Sequence, residues 1–166
     1  MFEISSMRTK FQQVIDLPNG FGSLKFGFTR GEVENVLGRP DEEDLIDETE
    51  MAAIWYYKRL KLSVSFYAYP FNSPATKDMP LGVVTFMTGS PSATLWGSKI
   101  VGRGKSELLK LFEQHGHQGF TESVDELAES GYEALHLEKR HISLVFYNGT
   151  LKRLQWDFVR QEQEAG

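Results

Sequence analysis

Five side chains in the second half of the chain have the types needed for hydrolytic chemistry: His136, Glu138, His141, Ser143 and Asp157 fall on one predicted strand face. In such a site an imidazole takes the hydroxyl proton and a carboxylate orients the imidazole. Ser143, however, lacks both the Gly-x-Ser-x-Gly surround of a nucleophile elbow and a strained turn. His115 and His117 have a His-x-His spacing that can serve a metal from a strand. They follow a helical pattern here, without an acidic third ligand at a defined spacing, so they read as a helix end, where positive charge suits the dipole. Gly102-Arg103-Gly104-Lys105-Ser106 lacks the first glycine of a phosphate-binding loop. No catalytic residue, metal site or cofactor is expected, and an enzyme built on His136, His141 and Glu138 is the last of three readings.

The elements that position these residues occur twice. Phe26-Gly27-Phe28-Thr29-Arg30-Gly31-Glu32-Val33 aligns with Val101-Gly102-Arg103-Gly104-Lys105-Ser106-Glu107-Leu108 at an offset of 75, Leu62–Tyr67 with Ile142–Tyr147 at 80, and Val84-Thr85-Phe86 with Leu154-Gln155-Trp156 at 70. Order is kept while offsets drift, as loop-length changes between two copies of one unit produce. Each unit reads as a helix, near 30–37 and 105–115, followed by three strands, near 54–59, 61–69 and 81–88, then 134–139, 141–147 and 151–158. Thr29 with Glu32 forms a capping-box pattern, and Asn148-Gly149 predicts a type I′ hairpin. Val33, Val36 and Leu37 are expected as one buried helical stripe, the acidic run 41–50 as a solvated loop or weak helix, and 123–129 as a short helix. The expected fold is α+β: two tandem helix-plus-three-strand repeats, 20–90 and 95–160, with the helices packed on one face of an antiparallel sheet. Residues 1–19 are read as an N-terminal extension of this single domain.

Composition narrows the function classes. The chain has 166 residues, a formal net charge of −5 and no cysteine. Thiol catalysis, thiolate metal sites and disulfides are thereby excluded, and nucleic acid is not the expected partner, because phosphate binding relies on clustered Lys and Arg. No apolar run reaches the length of a membrane span or a signal-peptide core, so a cytoplasmic location is expected and no membrane partner.

The stretch Gly22–Val33, followed by Val36-Leu37-Gly38-Arg39-Pro40-Asp41, resembles the G-M-T-x-x-E-V…L-G-x-P signature of the β-lactamase-inhibitor-protein-like fold, which also includes outer-membrane assembly lipoproteins of the SmpA/OmlA type; Phe28 stands where that signature has Met. The resemblance implies tandem copies forming one sheet that grips a protein target. It also implies kinship with bacterial immunity-type proteins that bind and neutralise a toxin.

Superposing the copies separates inside from outside. Trp55 and Tyr57 fall on Leu135 and Leu137, whereas Tyr56 falls on His136, so the first four are expected inward. Leu62, Val64 and Phe66 with Ile142, Leu144 and Phe146, and Val84 and Phe86 with Leu154 and Trp156, complete the inward set. Amphipathic aromatics and polar groups on the outward face suit protein binding. The expected partner-binding residues are Tyr56, Tyr67, Tyr69, Phe71, His136, His141, Tyr147 and Arg153, with Tyr69 and Phe71 on a long loop at 68–80. The leading function is non-catalytic protein binding, as an inhibitor or immunity protein acting on a toxin or enzyme. The alternative is small-molecule binding or sensing in a pocket between the repeats.

Overall fold

The computed structural model describes residues 10–45, 52–68, 81–122, 131–137 and 141–159, and β-strands dominate it. In chain order the elements are β1 (Val14–Asp16), β2 (Gly20–Phe21), β3 (Leu24–Lys25), α1 (Arg30–Leu37), β4 (Glu42–Leu45), β5 (Ala52–Tyr57), β6 (Leu62–Ala68) and β7 (Leu81–Thr88). The second half contributes β8 (Thr94–Leu95), β9 (Ser98–Lys99), α2 (Lys105–Gln114), β10 (Thr121–Glu122), β11 (Tyr132–Leu137), β12 (Ile142–Tyr147) and β13 (Thr150–Asp157). An antiparallel eight-stranded sheet runs β10-β11-β12-β13-β7-β6-β5-β4, and a five-stranded sheet runs β3-β2-β1-β8-β9.

The expected α+β fold of two helix-plus-three-strand repeats is overturned. Among the described residues the chain is mostly β, with two sheets and only two helices. Helices of eight and ten residues are too short to cover eight strands, and the small sheet covers what they leave. Ile15, Phe21, Leu24 and Leu95 join Val33, Leu108 and Phe112 in one core against the inward residues of the large sheet. The segment read as an extension therefore supplies β1, the middle strand of that small sheet. The acidic run read as a solvated loop or weak helix supplies β4, whose Glu42 pairs with Tyr56 and Glu43 with Trp55. The expected short helix at 123–129 lies outside the described residues.

Local sequence explains both helices. Thr29 Oγ1 accepts from the Glu32 amide at 3.2 Å while the Thr29 amide donates to Glu32 Oε1 at 3.1 Å, closing the capping box. Val33 is buried and Leu37 packs against the core, but Val36 is exposed, because eight residues turn only one narrow stripe inward. In α2, His115 is the C-terminal cap; its Nδ1 lies 2.9 Å from the Leu111 carbonyl oxygen, and its ring stacks on Trp96 at 3.9 Å.

The two halves of the large sheet meet at β7 and β13, where Phe86 lies opposite Trp156 with rings stacked 5.4 Å apart. Both side chains are fully buried, and burying each contributes about 1.5–3 kcal/mol. Each of these strands carries one extra residue. Ser65 pairs with Thr85 but Phe66 with Val83, so Val84 is the bulge in β7; Val145 pairs with Arg153 but Phe146 with Leu151, so Lys152 is the bulge in β13. A bulge places two consecutive side chains on the same face. Val83 is accordingly buried while Val84 and Thr85 turn outward, which corrects the inward place expected for Val84; likewise Leu151 is buried while Lys152 and Arg153 are exposed. Bulge on bulge, the offset is 68, so Phe86 corresponds to Leu154 rather than to Trp156.

Candidate functional site

The outward face of the large sheet has two patches, built from corresponding positions on either side of the β7/β13 seam. Lys61 corresponds to His141, Ser63 to Ser143, Tyr56 to His136, Met87 to Gln155, Gly89 to Asp157, and Arg153 to Thr85. Backbone hydrogen bonds fix the correspondence: the Gly89 amide donates to the Lys61 carbonyl at 2.9 Å, and the Asp157 amide to the His141 carbonyl at 3.0 Å. Lys61 and His141 also share a left-handed backbone, with φ of 45° and 50°, in which side chains other than glycine's are strained.

The first patch is a depression of about 330 Å³ lined by Tyr56, Tyr57, Lys58, Lys61, Leu62, Ser63, Met87, Gly89, Lys152 and Arg153. Gly89 leaves it open: a Cβ there would stand 3.8 Å from the Arg153 Cβ, 3.9 Å from the Lys61 Cβ and only 3.0 Å from the Lys152 carbonyl oxygen. At the outer rim Lys58 Nζ pairs with Glu42 Oε1 at 3.0 Å, and its amide donates to Asp41 Oδ2 at 2.7 Å. The Glu42 hydrogen bond holds the Lys58 ammonium pKa above the ordinary lysine range. Tyr56 is held above the ordinary tyrosine range by burial first, then by the hydrogen bond and charge of Asp44. Burial also pushes the Tyr57 phenol up, with the charges of Glu34 and Asp41 adding to it, and its hydroxyl donates to the Gly38 carbonyl at 2.9 Å.

The second patch is filled by its own hydrogen bonds. His136 Nδ1 meets Ser143 Oγ at 2.8 Å, and His141 Nδ1 lies 3.9 Å from Asp157 Oδ2, an ion pair when His141 is protonated. Asp157 Oδ1 accepts from Thr85 Oγ1 at 2.9 Å and from Gln155 Nε2 at 3.4 Å. The Ser143–His136 pair thus has the nucleophile–base distance of a hydrolase, but the carboxylate of Asp157 lies beside the other histidine. Ser143 also lies within β12, which is paired on both sides, so the backbone donors beside it serve the ladders. Glu138, the acid expected here, lies outside the described residues. Among the described residues no three His, Asp, Glu or Cys side chains converge as metal ligands, and no helix is long and apolar enough to cross a membrane.

Of the expected partner-binding residues, Tyr56 and Arg153 meet in the first patch and His136 and His141 in the second. Tyr67 and Tyr147 stand at corresponding outward positions, 42% and 43% exposed, with the Tyr147 ring 4.8 Å from that of Tyr132. Tyr69 and Phe71, with the rest of the 68–80 loop, lie outside the described residues. Sequence reasoning missed Lys61 and Lys152. The spacing of three between Leu151 and Leu154, where plain alternation needs two, was the signal for Lys152; the offset of 80 from His141 was the signal for Lys61.

Comparison with known proteins gives no matching family model and no matching curated sequence. A solved structure to which the chain is similar is an extracellular protein containing a SCP domain from Bacillus anthracis str. Ames, at 9% identity and a TM-score of 0.45, covering 80% of this chain and 43% of that one. The chain therefore spans less than half the length of that protein.

Proposed function

We propose that this chain is a non-catalytic protein-binding module that presents the outward face of its eight-stranded sheet to a protein partner, as an inhibitor or immunity protein does to a toxin or enzyme. The observation that carries the reading is the pair Tyr67 and Tyr147: two large, exposed aromatics at corresponding positions on a rigid face. Tyrosine gives much contact area for little lost side-chain entropy and is frequent among interface hot spots. The resemblance of the Gly22–Asp41 stretch to inhibitor-type repeats supports the same reading. A photo-crosslinking amino acid placed at 67 or 147 should capture one protein stoichiometrically in producing cells, while the same group at Lys10, away from the sheet face, should not. Equal capture from all three positions, or none from any, would count against the reading.

A second reading, small-molecule binding, has one observation in its favour: the depression of about 330 Å³ at the seam between the halves, near the lower end of the volumes of small-ligand pockets. Native mass spectrometry separates the two, because a bound small molecule adds a discrete low mass to the chain.

A further inference from the structure

We infer that the seam depression is the anchor point for an acidic segment of a partner protein, taking one aromatic or long aliphatic side chain between flanking carboxylates. The inference rests on the protein-binding reading above. Its lining is mainly apolar, with Tyr56 and Met87 on the outward face, and its rim is cationic, made by Lys61, Lys152 and Arg153. None of these three cations pairs with a carboxylate among the described residues, whereas the nearby acids are engaged. Glu42 holds Lys58, Glu43 accepts from Trp55 Nε1, Asp44 interacts with the Tyr56 hydroxyl, and Asp41 accepts from the Lys58 amide.

Three unneutralised cations around a mainly apolar lining are notable on a chain of net charge −5. Two local features concentrate them. The β13 bulge turns Lys152 to the same face as Arg153, and the left-handed turn delivers Lys61 to the opposite side of Gly89. The corresponding patch in the second half has Asp157 in place of Gly89 and is closed by its own hydrogen bonds, so the opening is particular to one side of the seam. Exposed, unpaired cations beside an apolar surface favour a ligand offering both carboxylate and hydrocarbon. The depression is shallow and open, which suits a side chain presented by another protein better than a free molecule needing enclosure.

The test is an amide-resolved NMR titration of the full chain with the blocked peptide Glu-Glu-Phe-Glu-Glu, against Lys-Lys-Phe-Lys-Lys, Glu-Glu-Ala-Glu-Glu, phenylacetate and a thymidine oligonucleotide. The acidic aromatic peptide should move the amides of Ser63, Met87, Gly89 and Arg153, and should bind at least about tenfold more tightly than either control peptide. The double substitution Lys61→Glu with Arg153→Glu, at exposed positions, should abolish those shifts while leaving the rest of the spectrum in place. Equal binding of the basic peptide, shifts centred on His141 and Asp157, unchanged affinity in the double variant, or no response would each overturn the inference. Phenylacetate binding as tightly as the peptide would overturn it in favour of a small acid, and displacement of the peptide by the oligonucleotide would overturn it in favour of phosphate. A seam that fails these tests, beside continued crosslinking from 67 and 147, would reject the acidic anchor and leave the protein-binding reading standing.

Discussion

The two patches beside the seam have the same backbone and different chemistry. Lys61 and His141 occupy the same left-handed turn position, and Gly89 and Asp157 the same hydrogen-bonded position. In one patch the side chains leave a hollow rimmed by cations; in the other they satisfy one another. Inward, by contrast, the halves agree: Trp55, Val64 and Phe66 on one side face the core as Leu135, Leu144 and Phe146 do on the other. The difference teaches that the core restricts its residues by volume and polarity, while the outer face is free to become either a closed network or an open socket.

The hardest strain on this comparison is to attack the shared interior. Phe66→Ala and Phe146→Ala should each cost about 3–5 kcal/mol in urea unfolding, since both rings are fully buried and leave cavities. A near-neutral result for either would break the inward equivalence. Asp157→Ala should cost about 1–2 kcal/mol, because Thr85, Gln155 and His141 lose a shared acceptor that the first patch never had; a neutral outcome would mean the second patch is not held closed by its hydrogen bonds. Lys61→Gly should stabilise by up to about 1 kcal/mol by relieving the left-handed turn, and His141→Gly by less, since it also loses the Asp157 contact. Destabilisation at Lys61 would show that its side chain supports the fold rather than the rim.

The smallest effect is in alkali, where the halves differ again. Tyr57, whose counterpart is Leu137, has a raised pKa in the folded chain, so its contribution is complete below the unfolded value of 10.0 and is lost as pH rises above it. Lys105, in the other half, is raised by its hydrogen bonds to Glu133 at 2.8 Å and Glu122 at 3.0 Å; its contribution is complete below 10.5 and is likewise lost above. Tyr57→Phe should therefore flatten part of the fall in melting temperature between about pH 10 and 11 and leave the Lys105 part intact. An unchanged slope would remove Tyr57 from the account.

Alternation made much of the large sheet legible. Trp55 and Tyr57 against Tyr56, Phe66 against Tyr67, and the positive φ at Asn148 and Gly149 all follow from strand period and turn chemistry. The fold class did not. β2, β3, β8, β9 and β10 are two residues long, too short for any period, and Glu42–Leu45 has the composition of a loop although its backbone pairs with β5. Pairing to a neighbour, which no local window contains, makes these segments strands. The bulges shifted the alignment for the same reason: an extra residue in one strand is defined only by the strand beside it. Phe66 and Val83 pair across sixteen intervening residues and Phe146 and Leu151 across four, so the insertion in the first half is twelve residues rather than the ten implied by the sequence alignment. The candidate site was half legible, because Tyr56 and Arg153 are on the expected face while the partners that make them a socket depend on the bulge and on Gly89.

β4 bears on how this sheet meets other molecules. Among the described residues it is an outermost strand, and such an edge invites another chain to continue the ladder. Glu42, Glu43 and Asp44 stand in succession along it, so a second copy docking edge to edge would bring carboxylates to within about 5 Å of carboxylates. Extension through that edge by a second copy is opposed by charge.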